Sequence, residues 1–160
     1  MSMFEYINKM LEELSSDMEG TLKTPAANHL FMTYENCDIL DEAKAQLFRH
    51  LMAKLLYLCR RTRHDIQKAI AFLCTRLNKL DKDEFKKLTR VMQYLCRTKN
   101  MKLTIDANEH PNWWVDSLYA INLDTRSHSG VYKTLGKGAK YSGSYKQNLN
   151  TKSSTEEDLS

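Results

Sequence analysis

The stretch from residue 41 to residue 98 constrains the fold of this chain most. Its apolar residues recur every three or four positions, the period of a helix with one buried face. Leu47, Leu51, Leu55 and Leu58 form one stripe, with Phe48, Met52 and Leu56 beside it. Arg60-Arg61-Thr62-Arg63 interrupts the pattern. Thr62 and Asp65 have the spacing of a capping box, so a second helix is expected there, lined by Ile66, Ala69, Ile70, Leu73 and Leu77. Asp81 and Glu84 repeat the spacing ahead of Phe85, Leu88, Val91, Met92 and Leu95. Three amphipathic helices with short joints bury their stripes most simply against one another, which predicts a small helical bundle.

The flanks differ. Phe4, Ile7, Met10, Leu11 and Leu14 predict a short amphipathic helix over 2–14. Residues 15–40 lose the period, and Gly20, Thr24-Pro25 and Asn36 mark a loop or extended segment. After Asn100 the pattern turns to strands. Leu103-Thr104-Ile105 alternates, His110-Pro111-Asn112 is expected as a turn, and Trp113-Trp114-Val115-Asp116 opens a strand. Two more runs, 130–135 and 139–145, flank a hairpin turn at Gly136-Lys137-Gly138. Residues 151–156 have the character of a helix N-cap, and the chain stops at Ser160, so a truncated domain is expected. The fold class is therefore α+β: an N-terminal helical bundle followed by an antiparallel sheet. The expected divisions are 1–40, 41–100 and 101–160.

Composition narrows the classes. Hydrophobic residues make up 42% of 160, enough for a core, which excludes wholesale disorder. No apolar run approaches a membrane span, and Met1–Asn8 lacks the basic and apolar regions of a secretory signal. Cys37, Cys59, Cys74 and Cys96 show no zinc spacing and read as buried free thiols of an intracellular protein, cytoplasmic or nuclear. The net charge of +4 is unevenly spread. Residues 1–48 hold 3 basic and 9 acidic side chains, net −6; 49–102 hold 15 and 4, net +11; 103–160 hold 6 and 7, net −1. The middle block is a field strong enough to attract a polyanion. Its plain alternative is a solvated helical surface.

Four stretches resemble the pol polyprotein of copia-type long-terminal-repeat retrotransposons. Residues 54–66, with Leu55-Leu56-Tyr57-Leu58 and Thr62-Arg63-His64-Asp65-Ile66, are similar to the end of the reverse transcriptase in that family. Residues 88–95 are similar to its following Arg-Val-containing helix. Trp113–Ala120 with Arg126–Gly130 resembles the start of its RNase H domain, and 146–159, with Ser153-Ser154-Thr155-Glu156, resembles a later RNase H segment. The four occur in the family's order over roughly residues 45–160. The resemblance implies a thumb-like helical region, a connector, and the opening part of an RNase H-like fold. His64 stands where the family has Pro, Leu118 adds bulk, and Glu157 replaces Ala.

The chemistry this implies is two-metal hydrolysis with Mg2+, for which several carboxylates must converge on the scissile phosphate. Asp116 matches the family's first carboxylate, Glu156 matches the first Glu of the later pattern, and Asp158 stands where the family has a ligating Glu. Metal ligation would fall to Asp116 and Asp158, with the remaining aspartates beyond the C-terminus. The chain has no Asp-Asp pair of the kind that serves polymerisation. The expectation is a retrotransposon fragment, inactive alone, that keeps affinity for the backbone of an RNA–DNA hybrid or duplex. Arg60, Arg61, Arg63, Lys86, Lys87 and Arg90 are the expected phosphate contacts. The open sheet is expected to invite association, and no membrane partner is expected. Trp113 and Trp114 could stack bases but read better as packing residues. The competing hypothesis is a small basic helical module that binds a protein partner.

Overall fold

The structure, a computed structural model, describes residues 2–14, 18–34, 37–78, 80–104, 110–118, 128–135 and 138–146. The chain divides into two compact units, Met1–Lys102 and Leu103–Ser160. Together they make an α+β protein of helices followed by an open antiparallel sheet.

In the first unit, α1 spans Met3–Glu12 and opens with a complete capping box, Ser2 to Glu5. That Ser-x-x-Glu signal stands in the sequence and marks the helix start. Ile7, Met10 and Leu11 face the core. The long helix α2, Glu42–Arg61, half-buries Leu47 and Leu56 of the expected stripe and buries Phe48, Leu51, Met52, Leu55 and Leu58. Each such aliphatic side chain removed from water contributes about 1.5–3 kcal/mol before entropy is counted. A 3-10 turn over His64–Ile66 leads into α3, Gln67–Cys74. The last helix, α4, spans Lys82–Thr98, and Asp81 with Glu84 forms the predicted box.

The other predicted box, Thr62 with Asp65, does not form. Thr62 instead ends α2, its N–H donating to the Leu58 carbonyl, and its buried hydroxyl has no hydrogen-bond partner among the described residues. The Asp65 carboxylate turns to the Arg63 guanidinium, so the chain enters α3 through a 3-10 turn. A charged two-point contact outbids a single peptide N–H.

Residues 18–34 form an irregular strap, and a short bridge pairs Ile39 with Asp81 at the entry to α4. Every buried apolar residue described in this unit belongs to one cluster. The four cysteines are free; Cys59 is buried and the other three are half-buried.

In the second unit, β1 (Pro111–Leu118), β2 (His128–Leu135) and β3 (Gly138–Lys146) form an antiparallel meander in the order β1-β2-β3. Pro111 and Asn112, expected in a turn, instead pair with Leu135 and Thr134. Proline is tolerated there because it opens an edge strand and owes no ladder hydrogen bond outward. Residues 103 and 104 are not in a strand, contrary to expectation; the rest of that run lies outside the described residues, as do the hairpin tip at 136–137 and the helix expected from 151. The register shifts between Lys133 and Thr134, leaving Lys140 as an extra residue in β3. No described helix is long and apolar enough to cross a membrane.

Candidate polyanion-binding surface

The six cations expected on nucleic acid meet three different fates. Arg60 and Arg61 end α2 and are exposed, with Arg61 over the Tyr57 ring at 5.5 Å. Two positive charges in the last turn also favour the helix dipole. Lys86 is exposed on α4.

Arg63 corrects the expectation. It is 2% exposed, and its guanidinium is spent inside the fold. It donates to the Asp65 carboxylate at 2.7 and 3.0 Å and to the Thr98 hydroxyl and carbonyl at 2.6 and 3.1 Å. The Tyr94 hydroxyl closes the network by donating to Asp65 at 2.7 Å. Burial would raise the Asp65 carboxyl, but the hydrogen bonds from Arg63 and Tyr94 and the Arg63 charge outweigh it and hold it below its ordinary 3.8. Burial, and then donation to that carboxylate, raises Tyr94.

Lys87 and Arg90 correct it in part. Lys87 is buried; its ammonium donates to the Met32 carbonyl, ion-pairs with Asp83 at 2.7 Å and lies 5.1 Å from the centre of the Phe72 ring. Arg90 is half-buried and donates through Nη2 to the Thr24 hydroxyl at 2.9 Å. Gln93 donates to the Glu19 carbonyl at 2.6 Å. Lys87, Arg90 and Gln93 are spaced by three, so they share one side of α4 and pin the strap along it. The strap's role had no signal in the sequence, because its partners are aperiodic loop positions.

The acidic N-terminal segment also draws on the basic block. Glu13 pairs with Lys54 and, at 3.2 Å, with His50; Asp38 pairs with Lys82 at 2.7 Å and Glu42 with Arg49 at 3.4 Å. Taken over Met1–Lys102, −6 and +11 sum to +5. The net charge of the unit is therefore about half that of the middle block alone.

Between strap and α4 lies a cleft of about 230 Å³. Leu22, Pro25 and Ala26 contribute apolar wall; Lys86, Arg90 and His29 bring positive or ionisable groups. The Arg90 Nε is covered and lacks a hydrogen-bond partner among the described residues.

On α4, Glu84 is fully buried against Arg76 at 2.9 Å. Burial, then the adjacent Asp81 carboxylate, raises its pKa. Burial also pushes the Cys59 thiol up to about 11, so it stays protonated and unreactive at neutral pH.

In the sheet, Asp116 pairs across with Gly130 and shares a face with Trp114, while Trp113 and Val115 take the other. Glu156 and Asp158 lie outside the described residues. Among the described residues no group of three or more His, Cys, Asp or Glu converges to hold a metal. Asp116 by itself is a single carboxylate ligand, and a two-metal centre needs several. Trp113 and Trp114 are both largely exposed, and the Lys133 ammonium lies 4.2 Å from the Trp113 ring centre. A lysine over an indole is a cation–π contact, but neither indole ring is buried, contrary to the packing role expected of them.

No protein-family model, curated protein or solved structure matches this chain.

Proposed function

We propose that this chain is a piece of a copia-type pol polyprotein that binds the backbone of an RNA–DNA hybrid or duplex without hydrolysing it. Its helical unit would correspond to the region after the polymerase palm, and its sheet to the opening strands of an RNase H-like domain. The four sequence motifs support this origin, as does an antiparallel meander with Asp116 on its first strand. Mg2+ would be the cofactor of the parent activity, with Asp116, Glu156 and Asp158 as the chain's share of the carboxylates. The observation that carries the binding proposal is the pair Arg60 and Arg61, exposed side by side in the last turn of α2.

Titration of an RNA–DNA hybrid at rising salt tests it. Three exposed cations, Arg60, Arg61 and Lys86, predict a log–log slope of roughly −3, from about −0.9 per neutralised phosphate. Arg60→Gln with Arg61→Gln would bring it to about −1. A slope untouched by the pair overturns the assignment. Magnesium-dependent cleavage of the hybrid, abolished by Asp116→Asn, would overturn the absence of turnover.

A second reading rests on the exposed Met32, Tyr34 and Ile39, apolar side chains at and just past the strap. These fit a protein partner better than a phosphate backbone. A hybrid that fails to bind at low salt favours this reading.

A further inference from the structure

The cleft between strap and α4 has a use beyond fastening the strap. Asp83 and Lys87 neutralise one another at 2.7 Å, so among the described residues the uncompensated charge in the cleft belongs to Lys86 and Arg90. Arg90 spends one nitrogen on Thr24 and leaves Nε without an acceptor among the described residues. A buried donor without an acceptor is costly, and a ligand oxygen drawing the guanidinium toward it would relieve that cost. Opposite these cations the wall is apolar, formed by Leu22, Pro25 and Ala26. A site with two cations on one side and carbon on the other fits an anion that carries an organic body.

We propose that this cleft binds a small phosphomonoester, with the phosphate between Lys86 and Arg90 and the carbon skeleton against Pro25 and Ala26. Charge decides for phosphate over carboxylate. A phosphomonoester carries about −1.5 to −2 at neutral pH and matches two cations, whereas a carboxylate leaves one of them unpaired. Size decides the body. At about 230 Å³ the cleft lies below the roughly 300–1,000 Å³ of sites for drug-sized ligands. That size suits a sugar phosphate. A free sugar phosphate and the 5′-phosphorylated end of a nucleic-acid strand present the same phosphate chemistry to Lys86 and Arg90. Lys86 is shared with the hybrid-binding proposal, but Arg90 and the apolar wall are not, so the cleft stands without Arg60 or Arg61.

The test follows the Arg90 Nε–Hε resonance of the full chain by NMR during titration with ribose 5-phosphate. The expected result is a saturable shift, weakened roughly five- to tenfold by Lys86→Gln, as befits loss of one charge-assisted contact. Lys86 is exposed, so this variant leaves the fold intact. Arg60→Gln with Arg61→Gln should leave the sugar-phosphate affinity unchanged. A resonance that does not move, that moves equally with sodium chloride, or that responds identically in Lys86→Gln overturns the proposal. A 5′-phosphorylated oligonucleotide that outcompetes its 5′-hydroxyl counterpart identifies a strand end as the source; equal competition identifies the free sugar phosphate. Sugar-phosphate binding without hybrid binding would leave the cleft standing and remove the backbone proposal, and the converse would remove the cleft alone.

Discussion

The helical and sheet units treat their apolar residues in opposite ways. In Met1–Lys102 the helices turn Phe48, Leu51, Leu55, Ile70, Leu88 and Leu95 onto one another until none retains measurable exposure. In Leu103–Ser160 the described strands leave Trp113, Trp114 and Val115 at 59, 62 and 71% exposed, and Ala139 is the one buried apolar side chain described outside the helical cluster. Helices joined by short loops bring their own partners, so a core closes within the segment that encodes it. A three-stranded sheet has two faces, and covering either takes elements that lie elsewhere in sequence. Hydrogen bonds can complete the meander, but burial stabilises it little.

Four measurements can break or sharpen this contrast, from the largest effect to the smallest. Amide exchange should be slower across 44–97 than across the sheet by at least about a thousandfold, since core helices exchange near the global free energy and weakly packed strands do not. Equal protection would mean that the sheet has a core after all. Because both tryptophans lie in the sheet unit, their fluorescence reports that unit, and helical circular dichroism reports the other.

Removing the counter-charge of buried Arg63 comes next. Asp65→Ala should cost about 3–5 kcal/mol in urea unfolding followed by circular dichroism, the usual penalty for stranding a buried charge. A loss below 1 kcal/mol would show that Arg63 reaches solvent, which would restore it as a phosphate contact. Core truncation tests the contrast directly. Leu88→Ala should cost about 2–5 kcal/mol, whereas Val115→Ala in the exposed strand should fall within about 0.5 kcal/mol. Similar losses in both would erase the distinction.

The smallest effect is pH-dependent. The Asp65 pKa is lowered on folding, so at acid pH the unfolded chain binds more protons than the folded one and stability rises with pH. Its contribution is present above about 3.8 and is lost as pH falls through the lower folded value. Asp65→Asn should therefore flatten the acid limb of stability against pH, as read by circular dichroism. An unchanged limb would place the acid sensitivity on another carboxylate.

Much of the helical unit was legible because its signals are local. The stripe of α2 and the Asp81–Glu84 box appear in the structure where the spacing places them. The Thr62–Asp65 box has the same spacing and fails, because Arg63 beside it competes for the same carboxylate. Spacing identifies who can reach a group and is silent on who wins it. The strand expected to open at Trp113 and those expected at 130–135 and 139–145 form with slightly wider bounds, and Pro111, expected in a turn, starts the first because a proline at a strand start looks like a turn.

The candidate site was legible only as a list of cations. By itself the sequence determined where the four described helices and three described strands lie to within a few residues, and that positive charge concentrates in the middle third. These follow from periodicity over a few residues and from counting. The tertiary structure alone decided which of those charges face water. Arg63 is taken by Thr98, 35 positions on; Lys87 by Met32, 55 positions back; Arg90 by Thr24, 66 positions back. A charge is neutralised or freed by whatever the fold lays beside it, and at those separations no local pattern records the neighbour.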